Sequence, residues 1–230
     1  MRSLKFIRSP ETLSRIKENL SPERLSSYLD QNGGDLKAAI HLYEHNTNLS
    51  AAFYRPLQGL EVVLRNAIQN QLAKGFQRQD WYDDPIFLEI LQSHHKNALN
   101  KARNALAREN KPISPGGIVA ELSFGFWTGL LGPKYAVLWN RYLYQSFPNK
   151  KLQRKQCHKS LNRIRRFRNR IAHHEPILSR DLEYDHRLII EIISWIDPIA
   201  AQWVNQTSHF QQTFRKTLLQ KILGRLCGCR

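Results

Sequence analysis

The sequence predicts an all-α protein, a bundle of helices with short loops, on three observations. No stretch alternates apolar and polar residues with the two-residue period of a half-buried strand. Apolar residues recur instead at three- and four-residue steps, as in Leu57, Leu60, Leu64, Ile68 and Leu72. Proline behind a small polar or acidic residue punctuates these runs, at Ser21-Pro22, Asp84-Pro85 and Asp197-Pro198.

The chain has 230 residues, enough for one substantial core with an N-terminal addition. We divide it into an N-terminal helical extension over 1–50, a main domain over 51–206 and a basic C-terminal helix and tail over 207–230. With 35 Lys and Arg against 19 Asp and Glu, the formal charge is +16, which favours a polyanionic partner. Nucleic acid leads and an acidic membrane surface competes, but no apolar run approaches the ~20 residues of a bilayer span. The opening MRSLKFIRSP lacks the apolar stretch of a secretory signal, so the expected location is the cytoplasm. Cys157, Cys227 and Cys229 form neither a disulfide framework nor a spaced metal set, and no cofactor is expected.

In chain order, Ser21-Pro22-Glu23 supplies a cap, a first-turn proline and an acid at a helix start. Asp35 caps DLKAAIHLYEHN, with Leu36, Ala39, Ile40 and Tyr43 on its buried face. HLYEH inside it matches a zinc-peptidase pattern, but no second motif supplies a third ligand, so His41, Glu44 and His45 read as solvated polar residues. In the helix around Leu57 to Leu72, Glu61 and Arg65 stand one turn apart at the edge of the apolar face, either as an ion pair or lining a site. From Asp84 one long helix is expected through residue 110, with His94 and His95 as ordinary surface or interface residues. Two short helices around a Gly132-Pro133 break follow. Their Phe124, Phe126, Trp127, Tyr135 and Trp139 are read as core, with stacking on nucleic-acid bases as the alternative. SRDLEYDHRLIIEIISWIDPIAAQWV packs antiparallel against the basic helix that precedes it, Asp197-Pro198 kinks or divides that segment, and a last amphipathic helix starts at Thr207, with Phe210, Phe214, Leu218 and Ile222 on one side.

The chemistry concentrates in SLNRIRRFRNRIAHHEP, residues 160–176. From Lys150 to Arg170 there are ten Lys or Arg and no Asp or Glu. Leu161, Ile164, Phe167 and Ile171 recur at helical spacing, which makes this a basic amphipathic helix. Stepping about 100° per residue from Ile164, Arg168 lies on the flank of the buried stripe, whereas Asn169 and His173 lie nearly opposite it. Pro176 disfavours helical geometry at Glu175, which puts His173 and His174 in the last turn or just beyond. A histidine moves protons near neutral pH, and an arginine holds a phosphate through paired hydrogen bonds. RNA carries its own nucleophile, the 2′-hydroxyl, so a metal-free ribonuclease needs little beyond such a pair. The same face would also serve a non-catalytic RNA-binding or interaction module; a DNA-binding regulator ranks behind both, for want of a helix-turn-helix pattern.

The string RNRIAHH matches the R-N-x-x-x-H form of the motif of HEPN-domain ribonucleases, and its context resembles the Abi-like proteins of abortive-infection systems. LEVVLRNAIQNQL, ELSFGFWTGLL with KYAVLW after it, and IRRFRNRIAHHEPIL carry the resemblance in the expected order, over roughly Leu57 to Trp203. It implies a HEPN-type helical bundle with additional N-terminal helices. It further implies a homodimer whose composite cleft cuts RNA without metal, leaving a 2′,3′-cyclic phosphate and a 5′-hydroxyl. Arg168 would then stabilise the scissile phosphate, Asn169 position the site and His173 act as acid and base, with His174 sharing or replacing that role. Arg163, Arg165, Arg166 and Arg170 would hold RNA, and Glu61 and Arg65, in the first block, would line the cleft. A toxin-type phage-defence effector, with an antitoxin or regulatory partner, is the implied setting.

Overall fold

The computed structural model describes residues 7–216, and among them every regular element is helical, with no strand. The chain forms two compact units. Among the described residues one comprises 7–52, 174–180 and 209–216; the other comprises 53–173 and 181–208.

The first unit holds α1 (Pro10–Leu20), α2 (Pro22–Asp30) and α3 (Leu36–Ala52). Each start follows from a side-chain cap: Ser9 accepts from the Thr12 N–H, Ser21 from Arg24 and Asp35 from Ala38. Leu13, Leu25, Tyr28, Ala39 and Ile40 form its core, where Tyr28 meets Tyr43 edge to face at 5.5 Å. Buried Asn46 accepts the Ile177 N–H at 2.8 Å, which fastens the segment 174–180 into this unit. In HLYEH, the Glu44 carboxylate is taken by both branches of its fork, at 2.9 and 3.0 Å from the Arg8 guanidinium. Among the described residues no group of three or more His, Cys, Asp or Glu is placed to hold a metal ion.

The second unit is built on α4 (Tyr54–Gly75), which rises about 33 Å at 1.5 Å per residue. Leu57, Leu60, Leu64, Ile68 and Leu72, the stripe expected from the sequence, are all buried. The chain continues through η1 (Trp81–Asp83), α5 (Pro85–Ile90), α6 (Ser93–Arg108), α7 (Pro115–Glu121), α8 (Phe124–Gly129), η2 (Pro133–Tyr135), α9 (Ala136–Arg141) and η3 (Leu143–Ser146). The basic helix is α10 (Arg154–Ala172), followed by α11 (Leu182–Ile196) and α12 (Pro198–Thr207). α4 packs on α8, η3, α11 and α12, while α10 packs on α8 and α11.

Several expected elements are divided further. The long helix from Asp84 to residue 110 is two helices, broken where buried Leu91 turns to extended backbone with φ −67° and ψ 132°. The Gln92 N–H, freed from the helical ladder, donates to the Tyr135 hydroxyl at 3.1 Å, so a tertiary partner compensates the break. The aromatic segment after residue 115 is five short elements rather than two helices, with Ser114 and Ser123 capping α7 and α8. Asp197 divides α11 from α12 outright, accepting from the Ile199 and Ala200 N–H groups. Thr207 does not open the last helix but closes α12, donating to the Trp203 carbonyl at 3.0 Å; the next helical stretch is 210–216. Leu218, Ile222, Cys227 and Cys229 lie outside the described residues.

Candidate active site on the basic helix

The anchor of α10 is apolar. Cys157, Leu161, Ile164 and Phe167 are buried along one side, and the Phe167 ring meets Phe53 edge to face at 4.7 Å. Ile171, expected in the same stripe, is only half-buried, since it lies in the last turn. Burial pushes the Cys157 thiol well above its ordinary range, which makes it a packing residue and not a nucleophile. At the other end Arg154 donates to the Leu131 carbonyl at 2.9 Å and pins the helix start.

α10 ends at Ala172, and the His173 N–H still bonds the Asn169 carbonyl at 2.9 Å. His173 is therefore the first residue past the helix, one turn beyond Asn169, with φ −93° and ψ 9°. His174 turns to left-handed backbone at φ 57°, and its carbonyl accepts from Arg24 at 2.8 Å. The boundary between the two units falls between these histidines. His173 and His174 are exposed, and Arg168 and Asn169 half-buried. Asn169 and His173 share a face; Arg168 stands about 140° around the helix from His173, so one copy of α10 does not converge all three.

The remaining arginines divide by environment. Arg163 Nε donates to Asp185 at 2.8 Å, and its guanidinium lies 4.6 Å from the centre of the Tyr184 ring. Asp185 is completely buried in the first turn of α11, so Arg163 neutralises a core carboxylate while keeping part of its surface in water. Arg165 grips the Asn162 side chain with two nitrogens, at 3.1 and 2.9 Å. Arg166 is exposed, and Arg170 is half-buried beside Asn169.

Glu61 and Arg65 are half-buried on α4 and form no ion pair with each other. The Arg65 Nε is buried with no hydrogen-bond partner. The i, i+4 spacing that suggested a salt bridge is therefore not used for one.

His95 overturns its reading as a surface or interface residue, for it is 1% exposed. Its Nδ1 shares a 2.6 Å hydrogen bond with the Tyr135 hydroxyl, and its Nε2 lies 3.2 Å from the Phe126 carbonyl. Burial, with His94 beside it, lowers its pKa to about 4, so it is neutral and structural. His94 is exposed as expected. Phe124, Phe126, Trp127, Tyr135 and Trp139 are buried too, which rules them out as stacking platforms for bases.

A family model described as Abi-like protein matches residues 12–179, about three quarters of the chain. The chain belongs to the Abi-like family. That family is associated with abortive-infection phage defence. The Abi-like match takes in α1 to α3, which lie outside the three blocks that carry the resemblance, and ends just past the candidate site. No curated protein and no solved structure matches the chain. No helix of this Abi-like protein, among the described residues, is long and apolar enough to cross a membrane.

Proposed function

We propose that this Abi-like protein is a metal-independent endoribonuclease of the HEPN type, acting in abortive infection as a toxin-like effector. The observation that carries the reading is the end of α10. There Asn169 and solvent-facing His173 stand one turn apart, beside Arg168, on a helix without a single carboxylate. In the reaction the 2′-hydroxyl oxygen attacks phosphorus and its proton passes to a histidine. The P–O5′ bond breaks, and the 5′ oxygen takes a proton from an imidazolium. Arg168 offsets the charge that accumulates on the phosphoryl oxygens. His174 follows directly in the chain and shares the proton-transfer role or replaces His173 in it.

The geometry of α10 also supports a site made by two copies. Because Arg168 and His173 point to different sides of one helix, an arginine from one copy and a histidine from the other converge more readily than a pair from the same chain. The products identify the chemistry. RNA digested in EDTA and analysed by mass spectrometry is expected to carry 2′,3′-cyclic phosphate and 5′-hydroxyl ends. Products with 5′-phosphate ends, or digestion that needs an added metal, would refute the mechanism. RNA bound in a salt-dependent way yet recovered whole would instead favour a binding module using the same helix.

A further inference from the structure

Beyond its last turn, α10 carries a second regularity. Lys155, Lys159, Asn162, Arg166, Asn169 and His173 follow one another at steps of 4, 3, 4, 3 and 4 residues. That spacing keeps side chains in one line along a helix. Lys155, Lys159, Arg166 and His173 are exposed, and the two asparagines are half-buried. No carboxylate interrupts the line, and no other described residue engages the charged ends of Lys155, Lys159 or Arg166. Arg163, to one side of it, is by contrast committed to Asp185.

A cavity lies just before the start of α10. Lys151, in the irregular segment that enters the helix, lines a space of about 520 Å³ together with Gln71 of α4, Tyr144 and Gln145 of η3, and Phe147. This falls in the range of small-ligand sites, about 300–1,000 Å³. Tyr144 is 50% exposed and brings an aromatic ring to the cavity, while the Gln145 amide donates to its hydroxyl at 3.3 Å. Gln71 and Gln145 present amides, which both donate and accept as the edge of a base does. Lys151 adds an exposed ammonium, whereas Lys150 is occupied by Glu191 at 2.8 Å and by the face of Trp195 at 4.8 Å.

We infer that the exposed face of α10 is a track for single-stranded RNA, running from His173 past Arg166, Lys159 and Lys155 to an unpaired nucleotide seated against Tyr144 in this cavity. The inference rests on RNA being the substrate and names its form. A base inside a duplex is stacked on both faces and has none to give Tyr144, whereas a single strand can turn one base into the cavity. The eighteen steps from Lys155 to His173 rise about 27 Å. A strand of roughly five to eight nucleotides covers such a distance, within the ~4–16 nucleotides that single-strand sites occupy. The cavity therefore sets a minimum length on RNA that binds well.

Fluorescence anisotropy in EDTA with His173→Ala protein, which keeps the RNA intact, tests this. Labelled RNA of about 12 nucleotides is expected to bind at least tenfold more tightly than RNA of about 4. Tyr144→Ala should weaken the longer RNA about tenfold and leave the shorter unaffected. Lys155→Ala with Lys159→Ala should reduce the slope of log affinity against log salt by about 1.4. The track is overturned if both RNAs bind alike, if these variants bind within about twofold of the parent, or if a duplex of the same length competes equally. Length- and Tyr144-dependent binding by a wild-type protein that leaves RNA whole would keep the track and remove the nuclease reading. Cleavage by wild type with no effect of Tyr144→Ala or the lysine pair would do the reverse.

Discussion

Arg163 sits among the arginines of the basic helix as if it were one more phosphate ligand, yet its Nε is 2.8 Å from a carboxylate with no exposed surface. Truncating it removes a countercharge that stands 2.8 Å from Asp185. Arg163→Ala should therefore cost roughly 3 kcal/mol, the low end of the ~3–5 expected for half of a buried pair, because Arg163 is itself partly in water. Chemical denaturation measures this; a midpoint equal to wild type would show that Asp185 does not depend on it. Two buried histidines set a pH dependence. Burial holds His95, chiefly, and His186 at about 4, against an ordinary 6.5. Between those values the unfolded chain binds more protons than the folded one, so stability is full above about 6.5 and falls as the pH drops toward 4. Urea midpoints taken at about pH 7 and about pH 5 should decline, and His95→Gln, which cannot titrate, should flatten the decline. His95 was legible in principle. It opens the series His95, Leu99, Ala102 and Leu106, at steps of 4, 3 and 4 residues along the buried face of α6, and only its exposed neighbour His94 made the pair look alike. Asp185 was not legible, because nothing local in the sequence says that a first-turn acid of one helix meets an arginine of another.

At the scale of elements, periodicity gave the buried stripe of α4 and, in α10, Leu161, Ile164 and Phe167 but not Cys157, while Ile171 is only half-buried; capping and first-turn proline chemistry gave the starts of α2, α3 and α5. It failed where a tertiary partner takes over a backbone group. The Tyr135 hydroxyl that receives the Gln92 N–H stands 43 residues further along the chain, so the break between α5 and α6 has no local signature. Close approach is likewise invisible locally. Gly75 ends α4 against the ring of Tyr142, and a Cβ there would come within 2.6 Å of Cε1 and 2.8 Å of Cγ. A ring yields less readily than a flexible chain end, so Gly75→Ala should destabilise by about 1–3 kcal/mol despite the better helix propensity of alanine. Thermal denaturation would contradict this if the variant melts at or above wild type.

For the molecule as a whole, the all-α architecture and the family were legible, the latter from three ordered blocks, though the family match reaches back to residue 12 through helices those blocks omit. What a single chain does not supply is a converged set. Arg168 and His173 leave α10 about 140° apart, and a second copy would bring an arginine and a histidine together. Arg168→Ala and His173→Ala should each be inactive, while mixing them should restore part of the activity, because some mixed dimers carry one intact site. No recovery on mixing, with dimers demonstrated, would place the whole site within one chain. If the end of α10 cuts RNA with its own side chains, the rate of RNA cleavage in EDTA must differ between wild type and His173→Ala. A wild-type rate unaffected by the chelator is expected, with a loss of about 10²–10⁴-fold in the variant. Equal rates in the two proteins, or a wild-type rate abolished by EDTA and restored by metal, would contradict this.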